Sequence, residues 1–135
     1  MAVMKNRNFR DRLCFAIAGI AAGFTRERSF RTHCIFAGLA LLALLLLRPA
    51  PLWWGLVAVV VALVLALELV NSALETVLDL LHPGEHPAVK VAKDMAAGAV
   101  LVISLAALIV ALALVIDSRD TWLGWLLFSS RMTHS

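Results

Sequence analysis

Three apolar runs constrain this chain more than any other feature, because each is about as long as a bilayer is thick. Residues 33–47, extended to 30–48, supply roughly the 20 residues that a helix needs to cross the hydrocarbon core. Residues 52–67 are uninterrupted and continue helically through Glu68 and Glu75 to Leu81. Residues 95–116 form the third run, entered through Lys90, Lys93 and Asp94. Of 135 residues, 62% are hydrophobic and 16% charged, against about 45–50% and 25% in soluble domains. A soluble fold of this size buries only about two-thirds of its unfolded surface, so the surplus would face water. A cytosolic globular enzyme, a disordered tail and a disulfide-stapled secreted domain are excluded. The composition specifies a small all-α integral membrane protein with one domain. Cys14 and Cys34 have no metal or redox spacing.

Breakers divide the runs. Arg48-Pro49-Ala50-Pro51 ends the first span and leaves almost no loop, and His82-Pro83-Gly84-Glu85-His86-Pro87 is a turn. Ahead of the spans, a basic N-terminus flanks an Ala- and Gly-rich apolar stretch, residues 13–24. A signal peptide would look similar, but the next segment is also basic and no separate mature domain follows. The stretch reads better as an amphipathic surface helix over about 7–28, with its arginines toward headgroups. The expected spans are about 30–48, 52–81 and 91–116, giving a membrane domain over 1–116. Residues 117–135, with an apolar patch at 122–128, read as a C-terminal interfacial extension. Trp53 and Trp54 stand where an aromatic belt belongs.

Seven basic residues, Lys5 to Arg31, precede the first span, and Lys90 and Lys93 join them on the same side. Arg48, Arg119 and Arg131 lie opposite. The positive-inside rule then makes the N-terminus cytoplasmic and the C-terminus external in a multi-pass protein of the cell membrane.

Charge where none should be is the strongest signal of function. Glu68, Asn71, Ser72, Glu75 and Asp79 fall at i, i+3, i+4, i+7 and i+11, one stripe along one helical face. Carboxylates near membrane depth cost several kcal/mol unless paired, solvated or bound to a cation. Asn71 and Ser72 alone would suit a polar seam between helices; the added glutamates make a site the better reading. Lys90, Lys93 and Asp94 share a second face at i, i+3 and i+4, and Ala96, Ala97 and Gly98 beyond them allow close backbone approach. Two lysines can hold a polyphosphate, though they are also what the positive-inside rule places there. Glu27, among Arg26, Arg28 and Arg31, is by itself an ordinary salt-bridged surface residue. His33, His82, His86 and His134 show no metal-ligand spacing. There is no glycine-rich phosphate loop and no nucleic-acid signature.

Together these residues resemble the small bacterial integral-membrane lipid kinases, the prokaryotic diacylglycerol kinases and undecaprenol kinases. The resemblance rests on Glu68-Leu-Val-Asn71-Ser72-Ala-Leu-Glu75 with Asp79, on Thr25-Arg-Glu27-Arg-Ser-Phe30-Arg31-Thr-His33, and on His86-Pro87…Lys90…Ala92-Lys93-Asp94…Ala96-Ala97-Gly98. It covers roughly residues 9–116, in order. It implies a homotrimer of three-span subunits, each with a surface helix and with active sites at the cytoplasmic face between neighbours. It further implies that Glu68 accepts the proton of a lipid hydroxyl, and that Glu27 and Glu75 bind the Mg²⁺ accompanying ATP. Asn71 orders that site, with Arg31 in support. Gly84, Glu85, His86, Lys93 and Asp94 correspond to nucleotide contacts, and Ala97 lies where the lipid headgroup passes.

Two departures stand out. Ala18 replaces a basic residue usual before Gly19, and a tyrosine expected near Phe15 is missing from a chain with no Tyr. Nucleotide contacts from the surface helix are therefore not carried over, although Arg10 or Arg12 could substitute. The motifs around Glu27 and Lys93 look more like the undecaprenol kinase branch, which favours a polyprenol over diacylglycerol as acceptor. The competing class is a non-enzymatic oligomer, a small channel or regulatory subunit, with the acidic stripe as a polar seam. Such a seam would not need Glu27 and Lys93-Asp94 as well.

Overall fold

The structure, a computed structural model, describes residues 8–132, with side chains described through Arg119. The patch at 122–128 therefore lies outside the described side chains. Four helices follow one another: α1 (Phe9–Arg26), α2 (Arg28–Leu47), α3 (Pro51–Leu81) and α4 (Pro87–Met132). Three are long and apolar enough to cross a membrane: Arg28–Leu47, Pro51–Leu81 and, within α4, Pro87–Arg119. The breaks fall at the residues that cannot continue a helix. Arg48, held in a left-handed conformation at φ 46°, ends α2 and donates its N–H to Leu44 O. Its successor, Pro49, disfavours right-handed helix at position 48. Pro51 then occupies the first helical position of α3, where a missing N–H costs nothing. At the other turn, Pro87 opens α4, and His86 Nδ1 accepts the Ala88 N–H at 3.2 Å. The backbone of α4 runs helically past Ile116 without a break.

Helix α3 is the centre of the bundle, packing against α4, α2 and, at Leu69, α1. Two cross-links set the register of the antiparallel α3–α4 pair. Lys93 is ion-paired with Asp79 at one end, and Trp53 Nε1 donates to Asp117 Oδ2 at 2.8 Å at the other. Near the Trp53 end, Leu44, Val57 and Leu114 form a buried cluster, with Trp53, Trp54 and Leu47 packed around it.

The helix lengths differ, and the difference positions the site. The 20 residues of α2 span about 30 Å at 1.5 Å per residue, the thickness of a hydrocarbon core. The 31 residues of α3 span about 46 Å. With its N-terminus held near the end of α2 by the short turn, α3 overhangs the other end by about two to three turns. Glu75 and Asp79 ride on that overhang, whereas Glu68 lies alongside α2.

Candidate functional site

The corner between α1 and α2 is braced from three sides. Glu27 is extended (φ −100°, ψ 117°), ending α1 through its N–H to Gly23 O and starting α2 through its own carbonyl, which accepts from Arg31. The Arg31 guanidinium turns back and donates from Nη1 to Phe24 O and Thr25 O at 3.3 and 3.0 Å. It thereby satisfies carbonyls that a helix end leaves without partners. Gly23 is buried, and a Cβ there would stand 2.5 Å from Leu69 Cδ2, so any larger residue would displace the Leu69 side chain of α3. By contrast, a Cβ on Gly98 would meet nothing within 4 Å. Among the described glycines, close approach within the chain occurs at Gly23 and not at Gly98.

Along the stripe of α3, burial falls toward the overhang. Glu68 is 3% exposed, Asn71, Ser72 and Glu75 are half-buried, and Asp79 is exposed. The Glu68 carboxylate faces His33 of α2, with Oε2 3.8 Å from Nε2. One turn on, Asn71 Nδ2 donates to Glu75 Oε1 at 3.1 Å, fixing that carboxylate. Ser72 and Thr76 hydroxyls return to backbone carbonyls on their own helix. Asn71 Oδ1 is buried without a hydrogen-bond partner. An orphaned amide oxygen beside a held carboxylate is a hard-oxygen donor set of the kind Mg²⁺ accepts.

Register brings Glu27 to the same level. It lies six residues before His33 on α2, and Glu75 lies seven beyond Glu68 on the antiparallel α3. Both are thus about 9–10 Å above the His33–Glu68 contact. Among the described residues, no group of three or more His, Cys, Asp or Glu converges as a metal cage. A cation that arrives with phosphates and keeps its waters needs only one or two carboxylates, so the residues present fit Mg²⁺ brought by a nucleotide.

The remaining expected residues lie on the overhanging end. Gly84 and Glu85 are exposed in the turn at 82–86, and His86 caps α4. Lys93 reaches back to Asp79, while Lys90 pairs with Asp94 at 3.7 Å along α4. Ala97 is exposed one turn further along. Sequence reasoning missed two pairings, His33 with Glu68 and Lys93 with Asp79. A signal for the first existed: a carboxylate at membrane depth demands a partner, and His33 stands within the opening turns of the preceding span.

Below Glu68, an apolar cavity of about 590 Å³ opens between α2, α3 and α4. His33 and Ser104 are the polar side chains in its wall, which otherwise consists of residues such as Phe36, Val61, Leu108 and Leu114.

A buried carboxylate above an apolar cavity, with a second carboxylate and basic residues on a helical overhang, defines a helical membrane protein with a polar site set into its apolar spans. The family model of prokaryotic diacylglycerol kinases matches residues 14–115, and the chain belongs to that family of membrane lipid kinases. It is 43% identical over 98 residues to a diacylglycerol kinase of Synechocystis, covering 71% of this chain and 55% of that protein. It is also 34% identical over 107 residues to the undecaprenol kinase of Bacillus subtilis, covering 79% and 86% of the two chains. A diacylglycerol kinase of Haemophilus influenzae is 32% identical over 88 residues, with 65% and 75% covered. The chain thus spans just over half the length of its Synechocystis relative. No solved structure matches it with significance.

Proposed function

We propose that this chain transfers the γ-phosphoryl group of ATP to the hydroxyl of a membrane lipid, at the cytoplasmic face of the cell membrane. The observation that carries the reading is the placement of Glu68. It is buried on the span, faces His33 at the end of an apolar cavity, and lies about 10 Å below Glu75 on the overhang. A soluble nucleotide and a lipid hydroxyl would meet from opposite sides of that gap.

Each side chain has a task in this scheme. Glu68 accepts the proton of the lipid hydroxyl while the oxygen forms its bond to the γ-phosphorus. The bond from that phosphorus to the bridging oxygen breaks, and its electron pair leaves on ADP. Glu75, oriented by Asn71, and Glu27, held in its braced corner, would hold Mg²⁺ from two helices. The ion, when bound, supplies positive charge across the phosphate oxygens. Lys93, Asp94 and the turn carrying Gly84, Glu85 and His86 contact the nucleotide, and Arg31 supports the site by fixing the corner. Ala97, small and exposed, leaves room for the headgroup. Little covalent help is required for phosphoryl transfer; positioning and charge provide most of the acceleration.

The acceptor we favour is a polyprenol, with diacylglycerol as the second substrate class. The motifs around Glu27 and Lys93 support this, while the relatives include kinases named for each lipid and do not separate the two. The working unit is a homotrimer with its surface helix on the cytoplasmic side, the N-terminus inside and the C-terminus outside. A panel of polyprenols and diacylglycerols incubated with labelled ATP in mixed micelles tests the function. Label transfer to polyprenol above diacylglycerol is expected. No transfer to any lipid alcohol would return the stripe to the role of a helix seam.

A further inference from the structure

Glu68 cannot work alone at its depth, and the structure supplies it with a neighbour to which no role has been given. Resting on the lipid-kinase reading above, we propose that His33 is the acceptor-positioning residue, holding the lipid hydroxyl against Glu68 through Nε2.

Three observations converge on it. First, His33 both lines the apolar cavity and faces the Glu68 carboxylate, so it joins the lipid's route to the base. Second, the separation of 3.8 Å between Nε2 and Oε2 is too long for a direct hydrogen bond. An oxygen about 2.8 Å from both atoms closes a triangle with an apex near 85°, which a hydroxyl can occupy. With Nε2 carrying the ring proton, the imidazole donates to the alcohol oxygen, and the alcohol donates to Glu68. The oxygen keeps its other lone pair for the γ-phosphorus, so positioning does not consume the nucleophile. Third, the polar residues of the cavity wall lie at this one end. Ser104 stands eleven residues beyond Lys93 on α4, as Glu68 stands eleven before its partner Asp79 on α3, so the two share a level. The Ser104 hydroxyl is buried without a partner. Elsewhere the wall is apolar, as a hydrocarbon chain requires. The ligand class this describes is a lipid alcohol whose single hydroxyl leads and whose chain follows.

The test is steady-state kinetics of the full chain in lipid nanodiscs, varying a short polyprenol at saturating Mg-ATP and then ATP at saturating polyprenol. His33→Ala should lower kcat/KM for polyprenol by about 5–30-fold, the worth of one hydrogen bond to the reacting oxygen. Its KM for ATP should stay within about twofold. His33→Gln, whose amide N–H reaches a similar position, should recover most of the loss. A purely structural role would move both KM values and would not discriminate between Ala and Gln. Unchanged polyprenol kinetics in His33→Ala, an equal loss toward ATP, or no recovery in His33→Gln would each overturn the inference. If the unsubstituted chain phosphorylates no lipid, the function itself fails, an outcome distinct from all of these.

Discussion

The two ends of the α3–α4 pair are built to opposite rules. At the Trp53 end, Leu44, Val57 and Leu114 are buried together, indoles pack around them, and one hydrogen bond to Asp117 closes the surface. At the Asp79 end, an ion pair also closes the surface, but the layer beneath it holds Glu68, Asn71, Glu75 and His33. The first end is packed mainly with aliphatic and indole side chains, the buried Ser118 hydroxyl being, among the described residues, its one polar group beneath the surface, whereas the other buries a carboxylate beside an imidazole and an amide. Ionisable side chains buried at membrane depth are costly and mark candidate functional sites. On the function proposed above, anchoring falls to the first end and chemistry to the second, and substitutions at each should fail in different ways.

The largest effect belongs to Glu68. Glu68→Gln keeps the shape of a buried side chain and removes only the proton acceptor. Loss of a general base costs about 10²–10⁴-fold in rate, so turnover should fall by that factor with the KM for ATP little changed. Turnover assays beside titration with a non-hydrolysable ATP analogue measure both. Lost nucleotide binding would recast Glu68 as structural, and unchanged turnover would remove it from the chemistry.

Glu75→Gln should act next, and on a different variable. The amide still receives the Asn71 hydrogen bond, so the local helix is preserved, but a charged oxygen ligand is gone. The Mg²⁺ concentration for half-maximal rate should rise about tenfold or more, in line with the 10–100-fold typical of altered metal shells. Ordinary activity at low Mg²⁺ would detach Glu75 from the metal. Loss of assembly in a crosslinking assay would place it in the packing instead.

The helical stripe that carries these two residues was legible in the sequence, as was most of the helix pattern. Hydrophobic run length fixes where spans can lie, and proline pairs fix where they stop. What one dimension cannot supply is lateral neighbourhood. The stripe from Glu68 to Asp79 is local, a consequence of helical period alone. Its partners, His33 and Lys93, come from other helices and depend on register, which the Trp53–Asp117 and Lys93–Asp79 cross-links set together. Gly23 illustrates the same limit. Glycine spacing offers no reason to prefer it over Gly98, yet among the described glycines a Cβ would meet another helix only at Gly23. The overhang, by contrast, is already implicit in the expected spans, 30–48 and 52–81, joined by almost no loop.

At the anchoring end, Leu114→Ala should reduce stability rather than chemistry. Leu114 is 4% exposed in the cluster with Leu44 and Val57. Truncation there removes packing contacts, with part of the usual cavity cost recovered because lipid is as apolar as the core. A loss of roughly 1–3 kcal/mol is expected, read as a lower unfolding midpoint in detergent, with the KM for ATP unchanged. If turnover per folded molecule fell tenfold, the two ends would not be separable.

The smallest effect tests that separation most finely. Trp53→Phe keeps an aromatic ring at the interface but removes the N–H that donates to Asp117 at 2.8 Å. The bond lies at an exposed position, where water can replace the lost donor, so its net worth is at the low end of about 0.5–1.5 kcal/mol. Asp117 is not left buried and unpaired, and no further penalty applies. The unfolding midpoint should therefore drop by no more than a few degrees, and kinetics toward lipid and ATP should be indistinguishable from those of the parent. Because the Trp53 cross-link and the Asp79–Lys93 pair share one helix register, the alternative outcome is informative. A raised KM for ATP in Trp53→Phe would mean that register set at the anchoring end reaches Lys93 through two rigid helices, coupling the ends.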